Sequence, residues 1–335
     1  MSTYAPAPPG EVLLGQVATD LLPGSEAALL DALRAVGEPS RLRIVVALRA
    51  GERTVSELTR ILGQSQPRVS RHLKILGDAG LISRFAEGSW VFCRLREHPL
   101  ISAVLDWIPE TSPEFAEDRR RLEELLTERS RASEEYFHRH AHEWDSLRSL
   151  YVSESRVEQA IVELAGTRRV GTLLDIGTGT GRMLQLLAPL ARYAIGIDRS
   201  VAMLAAARPA FDHPTFGHVH LRHGDMYRLP IGAESIECAI VHQVLHFADD
   251  AERVLREAAR VVRPGGRVLL VDFAPHTLEF LRTEHAHRRL GFTTEEVTAW
   301  GHRAGLTVRE VTRLPGTPLT VVLWEATKGP TPAAS

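Results

Sequence analysis

Apolar positions recur every three to four residues from Ser25 to Gly37 and again from Pro39 to Ala50, with Gly37 and Gly51 closing the two runs. That spacing predicts two amphipathic helices. Thr54-Val55-Ser56-Glu57 opens a third, because the Thr hydroxyl can accept from the Glu57 amide while the Glu57 carboxylate reaches back to the Thr54 amide. This helix ends near Leu62-Gly63, and Gln64-Ser65 leads tightly into a fourth, about Gln66 to Ala79, with Pro67 in its first turn and Gly80 as its stop. The periodicity then changes to alternation. Leu81–Ala86 and Ser89–Leu95 read as two strands around Glu87-Gly88. His98–Ile108 forms a short helix, and Pro109 and Pro113 punctuate the chain. From Glu114 to about Leu150 a long charged helical stretch carries Leu122, Leu125, Leu126, Tyr136, Phe137, Trp144 and Leu147, spaced too irregularly for a coiled coil.

Beyond Ser155 strand-like runs alternate with helical ones. Val170–Ile176, Tyr193–Asp198, Val219–Gly224, Ile236–His242, Arg267–Phe273, Leu306–Thr312 and Thr320–Glu325 are the predicted strands, with helices expected between the first five. The pattern implies a multidomain chain, an α+β winged helix-turn-helix followed by a doubly wound, Rossmann-like α/β domain. The expected divisions are a tail over 1–24, the winged domain over 25–108, a helical linker and lid over 109–150, the α/β domain over 151–327 and a second tail over 328–335.

Charge sharpens this division. The whole chain of 335 residues has a net charge of −2, yet Glu38 to Arg96 holds eleven Arg or Lys against five Asp or Glu. A basic domain in a near-neutral chain suits a polyanion bound by that domain alone. Two cysteines, Cys93 and Cys238, exclude a disulfide framework and a thiolate-rich metal site and fit a reducing cytoplasm. No apolar run approaches the length of a membrane span, and the proline-containing N-terminus lacks the features of a signal peptide.

Two helices joined by a tight turn and followed by a β wing form a device for reading the major groove of double-stranded DNA. In the second helix Val69, Leu73 and Leu76 share one face and should pack inward, while Arg68, Ser70, Arg71 and Lys74 point away, with Gln64 and Gln66 at the N-terminal end. Arg and Gln side chains can make paired hydrogen bonds to base edges, and Arg84 and Arg94 in the wing are placed for phosphate or minor-groove contact. Glu38-Pro39-Ser40-Arg41-Leu42-Arg43-Ile44, Thr54-Val55-Ser56-Glu57-Leu58 and Ser70-Arg71-His72-Leu73-Lys74 together resemble the ArsR-type regulators over about Ser25 to Ile108. The resemblance implies a homodimer on DNA. Its metal sensing does not carry over, because Arg53-Thr54-Val55-Ser56 holds no cysteine where the metal sensors place theirs.

In the second half Asp175-Ile176-Gly177-Thr178-Gly179-Thr180-Gly181 ends the first strand and opens a helix, a turn in which a ligand can lie against bare backbone. Asp198 closes the second strand, where a carboxylate can hold a ribose diol. Gly224-Asp225-Met226 follows the third strand, Val241-His242-Gln243-Val244-Leu245-His246 ends the fourth, and Arg263-Pro264-Gly265-Gly266 turns into the fifth. In that order these segments resemble the class I methyltransferases that use S-adenosylmethionine (SAM), over about Glu135 to Glu325. The resemblance implies that Asp175 with Gly177, Thr178, Gly179 and Gly181 holds the methionine part of SAM or of its product S-adenosylhomocysteine (SAH). It assigns Asp198 to the ribose and Asp225 with Met226 to the adenine, with Arg199, Met203, Gly224 and His242 completing the set, and makes Glu135–Asp145 a lid helix. Methyl transfer needs mostly alignment, so a small-molecule acceptor stays open, with His242 and His246 as the candidates for contact with it. No Asn-Pro-Pro-Tyr-like or Pro-Cys motif is present, which argues against a flipped-base DNA methyltransferase. A single cysteine in this half argues against arsenic methylation. The whole chain resembles fused ArsR–methyltransferase regulators, some of them SAH-responsive, and Glu284-His285-Ala286-His287-Arg288-Arg289-Leu290-Gly291-Phe292 has the look of that group. Three readings follow: a regulator whose α/β domain binds SAM or SAH as effector, an active methyltransferase on a small molecule whose DNA-binding domain controls its own operon, or a dimeric scaffold with a vestigial pocket, against which the intact glycines, Asp198 and Asp225 argue.

Overall fold

The computed structural model describes residues 26–49, 51–87, 89–96, 98–109, 111–140, 154–166 and 169–330. The expected tail over 1–24, residues 331–335 of the tail expected over 328–335, residues 141–150 of the expected linker and lid, and Gly88 in the hairpin turn lie outside the described residues, while Lys328 ends the last strand. The chain divides into two compact units, one made of residues up to 84 with 93–120 and the other of 85–92 with 121 onward.

The first unit holds α1 (Glu26–Val36), α2 (Pro39–Leu48), β1 (Arg53–Thr54), α3 (Val55–Leu62), α4 (Gln66–Asp78) and α5 (Pro99–Trp107). The start of α3 is the expected reciprocal cap: the Glu57 amide donates to Thr54 Oγ1 (3.3 Å) and the Thr54 amide donates to Glu57 Oε2 (2.8 Å). Gly63 ends the helix at φ 64°, a left-handed backbone that suits glycine. Val69, Leu73 and Leu76 of α4 are fully buried, as their spacing predicts. At the other end of this unit, Arg43 donates to both carboxylate oxygens of buried Asp118 (2.6 Å each), tying α2 to the first turn of α6 (Ala116–His140). β2 (Ile82–Glu87) and β3 (Trp90–Leu95) complete a three-stranded sheet of order β1-β3-β2, and the distal part of that hairpin, Phe85 to Phe92, belongs to the second unit.

The second unit is a seven-stranded sheet with helices on both faces. Its further elements are α7 (Glu154–Ala165), β4 (Val170–Ile176), α8 (Arg182–Leu187), β5 (Ala191–Asp198), α9 (Val201–Ala207), β6 (Val219–His223), β7 (Ile236–His242), α10 (Ala251–Val261), β8 (Val262–Phe273), α11 (Phe280–Glu284), α12 (Thr294–Arg303), β9 (Leu306–Leu314) and β10 (Val321–Lys328). The strand order is β6-β5-β4-β7-β8-β10-β9, with β10 antiparallel to both of its neighbours. Alternate residues of β7 serve opposite layers: Ala239 and Val241 join the apolar cluster with Leu255 and Trp300, while Cys238 and Ile240 join the one with Ile161 and Leu184. A parallel strand covered on both faces reads as a continuous apolar run for this reason.

One expectation fails. No helix lies between β6 and β7 among the described residues; residues 224–235 run as turns. Pro230 and Gly232 interrupt any helix there, and α10 supplies the missing hydrogen bonds. The Leu229 amide donates to Glu257 (2.8 Å), and Arg260 donates to the carbonyls of Leu229 (3.3 Å) and Ile231 (3.0 Å). The fifth strand also begins earlier than expected, at Val262, because Arg263-Pro264-Gly265-Gly266 runs on within it.

Candidate functional site

Sheet order sets where a ligand can lie. The chain winds outward from β4 to β5 and β6, then crosses to β7 on the other side of β4. At that reversal the strand ends leave a crevice, the usual ligand position in open α/β sheets. The glycine turn sits at its floor. Gly177, Gly179 and Gly181 have φ values of 72°, 53° and 81°, and the Gly177 and Thr178 amides donate to the Ile197 carbonyl at 2.8 and 3.0 Å, pinning the turn to β5. A Cβ on Gly177 would lie 2.5 Å from Val244 Cγ2. Gly177→Ala is therefore expected to cost about 2 kcal/mol or more, from left-handed backbone and from the clash. A lowered midpoint in urea denaturation is the check; unchanged stability would contradict the packing of Val244 on this turn.

Asp175 is buried and accepts from the Thr178 hydroxyl (2.6 Å), so its carboxylate shapes the turn from within. Asp198 accepts from the Gly179 amide at Oδ2 (2.8 Å) and from the Ser200 amide at Oδ1 (2.7 Å). Burial raises its pKa above the ordinary carboxylate range, against the pull of the Ser200 and Gly179 amides. Hydroxyl donors from a ligand would favour the ionised form. Arg199 turns away from the crevice toward α6, where it bonds Ser130 and pairs with Glu134 (3.1 Å). Met203 is buried on α9. Gly224 is held between Ile197 and Pro230, where a Cβ would be 2.9 Å from Ile197. Asp225 is exposed and accepts from the Tyr227 amide (2.9 Å), and Met226 packs half-buried against the sheet. His242 is buried at the end of β7.

Beyond β7 the structure brings together residues that the sequence does not connect. His246 Nδ1 lies 2.7 Å from Asp272 Oδ1, and Asp272 also accepts from the amides of His246 and Phe273. The His246 carbonyl in turn accepts from the amides of Arg288 (2.7 Å) and Arg289 (3.0 Å). Residues 121–140 of α6 border this region: Arg129 pairs with Asp249, Phe137 meets Phe247 edge to face, and the Tyr136 hydroxyl lies 2.9 Å from His285 Nδ1. Of the segment expected as a lid, Glu135–Asp145, residues 135–140 lie in this helix and the rest falls outside the described residues. Tyr227, which the sequence did not single out, accepts from the amides of Asp249 (2.7 Å) and Asp250 (3.2 Å) and holds the loop before α10.

Three buried arginines, Arg282, Arg288 and Arg289, form a second centre in this unit. Glu87 joins two of them, accepting from Arg282 Nη2 (2.6 Å), Arg289 Nε (2.5 Å) and the Leu290 amide (2.6 Å). Arg282 also stacks 4.3 Å above the Trp90 ring. Separations near 200 residues hide this cluster from any reading of the sequence.

In the first unit Gln66, Arg68, Arg71 and Lys74 are exposed along α4, Ser70 is half-buried and Arg84 is exposed. Two of the expected DNA-contacting residues are held inward instead. Gln64 Nε2 donates to buried Ser40 Oγ (3.0 Å), while Arg94 donates to Ser83 Oγ (3.1 Å) and pairs with Glu52 (3.5 Å). Each is thereby turned toward its own domain, because a partner distant in sequence competes for it.

Both thiols are buried, and burial pushes Cys93 up to about 11 and raises Cys238 as well. Neither is a ready thiolate. Among the described residues no group of three or more His, Cys, Asp or Glu is placed to hold a metal ion, and no helix is long and apolar enough to cross a membrane.

Residues 38–84 match the bacterial regulatory protein family named arsR, and residues 174–270 match a methyltransferase domain family. The HTH-type transcriptional repressor SmtB of Mycobacterium tuberculosis is 46% identical over 74 residues, covering 22% of this chain and 55% of that protein. The ubiquinone/menaquinone biosynthesis C-methyltransferase UbiE of Syntrophotalea carbinolica is 32% identical over 145 residues, covering 42% and 61%. An arsenite methyltransferase of Halobacterium salinarum is 34% identical over 104 residues, covering 30% and 27%. The chain spans about two fifths to three fifths of the length of the first curated relatives it matches. In one polypeptide, then, this chain carries an ArsR-family helix-turn-helix followed by a Rossmann-like methyltransferase domain.

Proposed function

We propose that the chain is a ligand-responsive transcriptional regulator: α4 and the wing bind double-stranded DNA, and the strand-end crevice binds SAM or SAH as effector. One run of packing contacts and hydrogen bonds inside the second unit carries this reading. Val244 packs on the glycine turn, His246 two residues later holds the Arg288 and Arg289 amides, and Arg289 with Arg282 holds Glu87, in the hairpin that the helix-turn-helix uses as its wing. A ligand that shifts the turn can therefore bias the wing tip. SAM and SAH differ by one methyl group and one positive charge, enough for a pocket to prefer one of them. Leu29, Leu30 and Leu33 on α1 and Trp107 on α5 are exposed large apolar side chains among the described residues, which supports pairing of two copies on a two-fold operator.

The test is fluorescence anisotropy of the full chain on its own upstream DNA, alone and with saturating SAM or SAH. A shift in affinity of about tenfold or more, roughly 1.4 kcal/mol of coupling, is expected with one of the two ligands. DNA binding indifferent to both would refute the effector role. Glu87→Gln, which removes the carboxylate between two buried guanidiniums, is expected to abolish the ligand-dependent shift while calorimetry still records ligand binding. An unaltered shift in that variant would sink the hydrogen-bond route.

A further inference from the structure

The loop after β7 carries more apparatus than effector binding requires. His246 is buried, and Asp272, which it faces at 2.7 Å, is fully buried with two amides also donating to it. A carboxylate so placed fixes the orientation of the ring and, of the two tautomers, selects the one with its proton on Nδ1 and its lone pair on Nε2. His287 stacks on His246 at 4.1 Å between centroids, and Phe247 and Phe273 approach both rings, with Phe137 of α6 closing on Phe247. His287 is 8% exposed, yet its Nδ1 has no hydrogen-bond partner among the described residues, and neither has the buried Nε2 of His276. Native proteins rarely leave buried polar atoms unpaired, so such atoms beside an aromatic wall point to a ligand that supplies the partner. Burial holds His287 well below the usual histidine range and brings His276 to about 4, so both rings are neutral at pH 7.

The geometry points to an acceptor site for a small hydroxylated aromatic compound, in which His246 is the general base, Asp272 its positioning residue, and the acceptor oxygen is methylated. The proposal rests on the reading that the adjoining crevice binds SAM, which would be the methyl donor. The acceptor O–H proton passes to His246 Nε2, giving an imidazolium beside the Asp272 carboxylate. The phenolate oxygen forms its bond to the methyl carbon as the methyl–sulfur bond breaks. That bond's electron pair stays on sulfur, and the products are the methyl ether and SAH. Val244, two residues before His246 and packed on the Gly177 turn, places this loop against the cofactor floor.

The probe is 4-nitrophenol, whose phenolate absorbs visible light, titrated onto the full chain already loaded with SAH. Binding is expected, with the bound phenol ionised at a pH where the free compound is still largely protonated. In His246→Gln the pH at which it ionises should return to that of the free compound, Asp272→Asn should fall between, and with SAM the wild type alone should yield the methyl ether. SAH affinity, which reports on the unit that holds both residues, serves as the fold control for both variants, and His287→Phe, which should weaken nitrophenol binding without moving the ionisation of what still binds, gives a test independent of Asp272. No binding of nitrophenol to the SAH-loaded chain, or equal ionisation in wild type and His246→Gln, overturns the acceptor site and leaves the effector reading standing. Failure of SAH itself to bind overturns both.

Discussion

Replacing Asp198 with alanine is expected to weaken SAH and SAM binding by about a hundredfold or more. Hydrogen bonds to a charged group are each worth about 1.5–3 kcal/mol, and a ribose diol offers two. The carboxylate also takes the amides of Gly179 and Ser200, so the alanine variant leaves two N–H groups without their acceptor and should be less stable as well. Asp198→Asn separates the two roles. Its remaining carbonyl oxygen can serve one amide, while the charge that favours the diol is gone. Stability should recover in part and ligand affinity should not. Isothermal titration calorimetry with SAH, beside anisotropy on DNA without ligand, is the measurement. Wild-type affinity in Asp198→Ala would remove this residue from the site. Lost affinity with unchanged ligand-free DNA binding would separate ligand capture from DNA reading.

The second large effect is expected at the exposed face of α4. Arg68→Ala with Arg71→Ala should weaken DNA binding by about a hundredfold to ten-thousandfold, since base-edge contacts contribute about 1–3 kcal/mol each. Neither side chain is buried, so thermal stability should change little, by about 0.5 kcal/mol or less per site. Salt dependence distinguishes their roles. A residue on phosphate lowers the slope of log affinity against log salt by about one, whereas a residue on a base edge relaxes sequence preference. Gln64→Ala is a useful contrast. Its amide is engaged with Ser40, so it should perturb the start of α4 and not the preference for one base. An Arg68/Arg71 variant that binds the operator like wild type would move the DNA-reading surface elsewhere.

Much of this protein was legible from residue order because the deciding interactions are local. The cap at Thr54 and Glu57 spans three residues, the left-handed stop at Gly63 needs only the absence of a Cβ, and the inward face of α4 follows from helical spacing. Likewise the glycine turn and Asp198 sit at strand ends, so pattern alone placed them together at the carboxyl ends of the sheet's strands. What only the tertiary structure decided is where long side chains find partners. Gln64 and Arg94 looked free to reach DNA and were taken by Ser40, Ser83 and Glu52. The segment between β6 and β7 looked able to hold a helix, but side chains of α10 satisfy its backbone as turns. His246 gained Asp272 from the neighbouring strand, 26 residues away, and Glu87 gained Arg282 and Arg289 across about 200. Hydrophobic periodicity and turn chemistry act over a few residues, whereas an ion pair or a buried imidazole is settled by which strands lie side by side, and that is known only once the sheet is assembled.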